Sequence, residues 1–183
     1  MTHACHPPST SVLLDMLEQQ RIGAEYQPIK NTRTLETVGH EALARFYDAA
    51  QQALPPQAVF AALHASPITL IQAELMSKRW QIQHAPDSGL LFLNLDPDVF
   101  DDNPASERHP VLALLDQPNR MVVEIIENAS IQEAKRSLWL AESLAAMGIK
   151  TALDDIGVAG GGGHGHQSRG KGQDQAKSCH GAI

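Results

Sequence analysis

Four polar residues stand within or at the ends of apolar strand candidates, and each offers an oxygen atom to a cation. They are Glu41 in Val38-Gly39-His40-Glu41-Ala42-Leu43, Asn94 in Leu91-Phe92-Leu93-Asn94-Leu95 and Glu124 in Val122-Val123-Glu124-Ile125-Ile126. The fourth is Asp154, with Asp155 beside it, in Thr151-Ala152-Leu153-Asp154-Asp155-Ile156. An ionised group in such surroundings is costly unless it is paired or bound to metal. Taken singly, each has an ordinary structural explanation: Asp154-Asp155 could end a strand before a glycine turn, and Asn94 could satisfy a neighbouring loop. Repetition across four strands favours a shared purpose. Oxygen ligands of this kind suit a hard divalent cation, Mg²⁺ or Mn²⁺. Three carboxylates and an amide, with a further carboxylate adjacent, are a donor set for one or two ions and for metal-assisted phosphoester hydrolysis.

The elements that must position these groups follow from periodicity and from proline and glycine punctuation. Val12, Leu13, Met16 and Leu17 recur at helical spacing, which predicts an amphipathic helix over 11–20. Glu25 to Ile29 reads as a first strand, closed by the polar turn Lys30-Asn31-Thr32-Arg33, and Thr37 to about Phe46 as a second. Pro55-Pro56 and Ser66-Pro67 open two helices, because proline fits the first helical turn, where its missing N–H is no loss. The second of these runs through Ile71, Leu75, Met76, Arg79 and Trp80. Apolar runs at 90–95, 121–126 and 149–156 then alternate with helical segments at 110–115 and 131–147. Strands alternating with helices of this length predict βα units and a largely parallel sheet. Continuous apolar runs predict strands covered on both faces. The pattern alone leaves an open doubly wound sheet and a closed barrel equally available; on a barrel, the four ligands would gather at the C-terminal strand ends.

Composition narrows the function classes. Of 183 residues, 43% are hydrophobic and 19% charged, ordinary for a folded protein. The formal net charge is −7; residues 158–183 hold Arg169, Lys171 and Lys177 against Asp174, a net +2, so residues 1–157 carry −9. An acidic body is a poor partner for a nucleic-acid polymer. No apolar run is long enough for a membrane span, and the first residues show no signal-peptide pattern. Cys5 and Cys179 form no disulfide framework, which points to the cytoplasm.

At the level of motifs, Glu41-Ala42-Leu43 within Gly39-His40-Glu41-Ala42-Leu43-Ala44-Arg45 resembles the signature of EAL domains, the cyclic-di-GMP phosphodiesterases of bacterial signalling. Tyr26-Gln27-Pro28-Ile29 is similar to the family's opening strand and Phe92-Leu93-Asn94-Leu95 to its asparagine strand. Val123-Glu124-Ile125-Ile126-Glu127 and Leu153-Asp154-Asp155-Ile156-Gly157 are similar to two further family strands, in the family's order. The resemblance covers about residues 20–157. It implies an α/β TIM-like (β/α) barrel whose first strand runs opposite to the rest. It implies metal ligation by Glu41, Asn94, Glu124 and Asp154, with Asp155 serving a second metal, and Glu41 and Asp155 at the reaction centre. Gln27 and Arg45 would help seat cyclic di-GMP, Arg45 through charge-assisted bonds to phosphate. The implied reaction is hydrolysis of one phosphodiester bond, giving linear pGpG. Ile126 replaces the family's usual threonine, Ile156 its phenylalanine, and Asp96 stands where serine is common.

After Gly157 the texture changes. Between Ala159 and Ala182 there is no Val, Leu, Ile, Phe or Met, a composition unable to bury enough apolar surface to order itself. The expected organisation is therefore a flexible arm over 1–9, a partial EAL domain over 10–157 and a Gly/His-rich disordered tail over 158–183. The tail resembles none of the later family strands, including the one bearing the catalytic lysine. About five of the barrel's eight strands are expected, as from a truncated or frameshifted reading frame, with hydrolysis lost. An exposed sheet edge would then invite dimerisation or self-association. Two other readings are a degenerate EAL domain that senses cyclic di-GMP or docks a protein, and a metal-binding tail using His164, His166, Cys179 and His180, whose spacing matches no closed zinc site.

Overall fold

The computed structural model describes residues 7–100, 109–117, 119–126 and 131–154, with the backbone alone at 126, 131–133, 153 and 154. The expected arm falls mostly outside these residues, as do Asp155 and the tail.

Helix α1 (Thr10–Glu18) starts at Ser9, whose hydroxyl accepts a hydrogen bond from the Val12 N–H and so satisfies one of the free donors of the first turn. It buries Leu13, Met16 and Leu17, the residues that set its period in the sequence. Strands β1 (Ile22–Lys30) and β2 (Thr37–Tyr47) follow as an antiparallel hairpin. Its loop is closed by Asn31, whose Oδ1 accepts from the N–H groups of Arg33 and Thr34 at 2.9 and 3.2 Å. A two-residue strand, β3 (Ala53–Leu54), pairs with the end of β2 and was not foreseen; two residues carry no periodicity to read. Helices α2 (Pro56–Leu63) and α3 (Pro67–Gln83) both begin on the expected prolines. Strand β4 (Leu90–Leu95), a short 3₁₀ turn (Pro97–Val99), α4 (Pro110–Leu114), β5 (Met121–Ile126), α5 (Ile131–Ala146) and β6 (Lys150–Asp154) complete the order. Helix α5 gives way to β6 through Gly148, at φ +72°, a left-handed conformation that glycine adopts without penalty.

The sheet runs β1-β2-β4-β5-β6, with β3 beside β2. The pair β1–β2 is antiparallel, whereas β2–β4, β4–β5 and β5–β6 are parallel, as expected for a first strand that opposes the rest. Among the described residues the sheet does not close on itself. Side chains alternate across it. One face carries Ala42, Leu91, Leu93, Leu95, Val123 and Ile125, all buried against a helical layer that includes Leu70, Ala73, Val111, Leu140 and Leu144. The other face carries Glu41, Asn94 and Glu124 together with the buried Phe92 and Val122.

The entry of β4 beside β2 depends on two glycines. A Cβ at Gly39 would lie 2.4 Å from the Leu90 carbonyl oxygen, closer than atoms can approach. Gly89, at φ +83°, turns the chain into β4 with its own Cβ position 3.0 Å from the Val38 carbonyl oxygen. Gly39→Ala is expected to destabilise the protein by about 2 kcal/mol, because strand backbone rather than a flexible side chain must yield. Gly23→Ala, whose Cβ would meet Tyr47 at an ordinary 3.5 Å, should stay within about 0.5 kcal/mol of wild type. Urea unfolding of the two variants checks the contrast, and equal stabilities would show that the ladder has room at Gly39.

Candidate active site

Register gathers the expected ligands onto the polar face. Gln27 lies opposite Glu41 across the hairpin, and Asn94 lies opposite Glu124 across the β4–β5 ladder. Glu41 pairs with Phe92, two residues before Asn94, and Ile126, two residues past Glu124, pairs with Asp154. Because side chains repeat every second residue, these positions share one face of the sheet. The side chain of Asp154 and all of Asp155 lie outside the described residues.

Glu41 is only 4% exposed. Asn94 donates from Nδ2 to its Oε1 at 3.0 Å. With the amide nitrogen so engaged, the Asn94 carbonyl oxygen is the atom left for a cation. Glu124 lies half-buried beside it. Two carboxylates and an amide on adjacent parallel strands fit a divalent metal by the chemistry of their donors. Arg45, two pleats beyond Glu41, forms an ion pair with Glu25 on β1, Nη2 to Oε2 at 2.6 Å and Nε to the same oxygen at 3.0 Å. Glu25 is largely exposed, so this pair is solvent-screened and weak, and Arg45 can exchange it for a phosphate at little cost. Gln27 is exposed, as a substrate-contacting side chain would be.

A cavity of ≈ 420 Å³ opens at this end of the sheet, bordered by Glu41, Arg45, Phe60, Asn94, Asp96 and residues of α3. The α3 contribution was not legible in the sequence. Ile71, Leu75 and Met76, which marked the helix, are partly buried, and Trp80 is 40% exposed. The fully buried side instead includes Glu74, Ser77, Lys78 and Gln81. Lys78 Nζ lies 2.7 Å from Glu74 Oε2, with each side chain 3% exposed, so an i,i+4 pair neutralises itself inside the fold. Gln81 donates from Nε2 to the Ala42 carbonyl at 2.9 Å, next to Glu41. Tyr26, whose pKa is raised by burial, donates its hydroxyl proton to the Gln81 carbonyl at 2.9 Å. The helix thus grips β1 and β2 through hydrogen bonds around Glu41.

His64, Asp96 and Asp98 form a second polar cluster. His64 Nε2 lies 2.9 Å from Asp96 Oδ2 and 3.5 Å from Asp98 Oδ2, while Arg136 Nη1 lies 2.8 Å from Asp98 Oδ1. Burial alone would lower the His64 pKa, but its bond to the Phe60 carbonyl and the charges of Asp96 and Asp98 outweigh it, and the pKa is raised. The signal in the sequence was Asp96 in place of serine; its partner His64 is too distant along the chain to be paired by inspection.

A mostly parallel α/β sheet with an antiparallel first strand, presenting carboxylates and an amide on one face, has the architecture of part of a (β/α) barrel. The EAL domain family model matches residues 11–162, most of the chain, and the chain belongs to that family. The match runs past Gly157, where the motif resemblance stops. The fold is similar to that of the Bacillus subtilis YkuI protein, which has an EAL domain and was solved with cyclic di-GMP and calcium; identity is 23%, TM-score 0.60, with 80% of this chain and 38% of that one covered. It is also similar to the EAL domain of FimX from Pseudomonas aeruginosa bound to cyclic di-GMP, at 21% identity and TM-score 0.58, covering 81% and 62%. An EAL-domain protein from Listeria monocytogenes aligns at 21% identity and TM-score 0.55, covering 82% and 61%. The chain therefore spans less than two thirds of each of these structures. No curated protein sequence matches it significantly. Among the described residues, no helix is long and apolar enough to cross a membrane.

The Glu74–Lys78 pair provides a test of how α3 is held beside the site. Lys78→Met alone should cost about 3 kcal/mol, since it strands a buried carboxylate, whereas Lys78→Met with Glu74→Leu should recover most of that loss. A urea-unfolding double-mutant cycle without coupling between the two positions would show that the pair is not buried in solution.

Proposed function

We propose that this chain binds cyclic di-GMP through a divalent cation held by Glu41, Asn94, Glu124 and Asp154, as a domain of the phosphodiesterase type. The observation that carries the reading is the Glu41–Asn94 hydrogen bond at 3.0 Å on a face where register also places Gln27, Glu124 and Asp154. Binding of cyclic di-GMP by YkuI and FimX, which share the fold, supports the choice of ligand.

Bound Mg²⁺ or Mn²⁺ would supply Lewis acidity toward a phosphoryl oxygen and an acidified water. Glu41 and Glu124 contribute negative charge that holds the cation, and Asn94, fixed by its bond to Glu41, adds a neutral oxygen. Arg45 leaves Glu25 for a phosphate oxygen of the ligand, and Gln27 hydrogen-bonds beside it. Asp155 follows Asp154 in sequence and is assigned to a second metal and to the reaction centre. Hydrolysis would add water across one P–O bond, the ring opening to linear pGpG.

Calorimetry of the full chain with cyclic di-GMP and Ca²⁺ should show saturable, metal-dependent binding. Glu41→Gln should abolish it, and Arg45→Ala should weaken it by about tenfold or more, the loss of a charge-assisted contact. Absence of heat from a folded sample would defeat the reading. Chromatography after incubation with Mg²⁺ or Mn²⁺ separates its two forms: release of pGpG identifies a hydrolase, and binding without turnover identifies a sensor.

A further inference from the structure

We propose that His64, Asp96 and Asp98 form a second divalent-cation site, separate from the Glu41 set, that takes a transition ion such as Zn²⁺ or Mn²⁺ in preference to Mg²⁺. One ligand atom from each of the three residues lies within 4.8 Å of the others, a spacing that a single ion can draw together. The donors are one imidazole nitrogen and two carboxylate oxygens, and the imidazole favours a first-row transition ion over Mg²⁺.

Each donor is oriented by a contact on its far side. His64 follows the last turn of α2, and its Nδ1 lies 2.7 Å from the Phe60 carbonyl oxygen. A carbonyl can only accept, so Nδ1 carries a proton, and an ion at the cluster would take the place of the second proton, the one on Nε2 between the two carboxylates. Asp96, 5% exposed, accepts the Asp98 N–H on Oδ1 at 2.9 Å and turns Oδ2 to His64. Asp98 accepts Arg136 on Oδ1 and likewise turns Oδ2 to His64. Second contacts of this kind, a histidine N–H on a carbonyl and ligating carboxylates held by other donors, orient ligands at metal centres. His84 gives an internal contrast: its Nδ1 also lies on a backbone carbonyl, that of Trp80 at 3.0 Å, but its ring stacks on the Trp80 indole rather than facing acids. Because Asp96 also borders the cavity that holds Glu41 and Asn94, an ion here would add positive charge at the rim where an anionic ligand enters. The competing occupant is a proton on Nε2, which would make the cluster an ion pair instead.

The full chain, freed of metal with a chelator, would be titrated with Zn²⁺ and with Mn²⁺ by calorimetry. His64→Gln and Asp98→Asn should each remove one binding event or weaken it by at least about tenfold, while Glu41→Gln leaves that event in place. Tail residues His164, His166, Cys179 and His180 can also take zinc, so the event is read as the difference between wild type and variant. A second measurement needs no variant: modification of histidines by diethyl pyrocarbonate, mapped by mass spectrometry, should slow at His64 when Zn²⁺ is added and stay unchanged at His84. Unaltered titrations in folded His64→Gln, or equal modification of His64 with and without Zn²⁺, would overturn the site and leave a protonated ion pair. Loss of cyclic-di-GMP binding in Glu41→Gln with the His64 event retained would separate this site from the one that carries the proposed function.

Discussion

Strand β4 can lie against β2 only because position 39 has no side chain. Contact at Gly39↔Leu90 starts the parallel ladder, and every later pairing inherits its register. Slipping that ladder by one residue would move Asn94 to the helical side and bring Leu93 or Leu95 out to the polar one. The site is thus a consequence of backbone packing at the opposite, N-terminal end of the same strand. Gly89, with its positive φ, delivers the chain into that contact.

The two faces of the sheet solve different problems. The face of Leu91, Leu93, Leu95, Val123 and Ile125 supplies the burial that holds the strands together. The face of Glu41, Asn94 and Glu124 adds Phe92 and Val122 to that burial but also brings like charges near one another. Helix α3 connects the two: it packs Leu70 and Ala73 into the core and sends Gln81 to the Ala42 carbonyl beside Glu41. Its Glu74–Lys78 pair allows two charges into this layer without net charge.

Much of this was readable in advance, for identifiable reasons. Pro56, Pro67 and Pro110 each open a helix because proline punctuation is local. The β4 and β5 limits follow from runs of apolar residues that strands covered on both faces require. Glu41, Asn94 and Glu124 were visible as polar interruptions of those runs. The buried polar side of α3 was not, because Glu74 and Lys78 at i,i+4 read equally well as an exposed pair. Nor was the His64–Asp96–Asp98 cluster, whose members are joined only by how α2 packs near the end of β4.

The hairpin of β1 and β2 has a further consequence, for the order in which the fold assembles. Its two strands are joined through the short loop between Lys30 and Thr37, whereas β2 reaches β4 only after α2 and α3 have been traversed. Loop closure costs chain entropy that grows with separation, so the two antiparallel pairings, β1–β2 and the short β2–β3, are the most local contacts in the sheet. Local pairings form fastest, and parallel crossovers wait for their helices. Gln27 is therefore expected to meet Glu41 before the parallel pairings form, so the antiparallel strands β1, β2 and β3 are the template on which the parallel part of the sheet is laid.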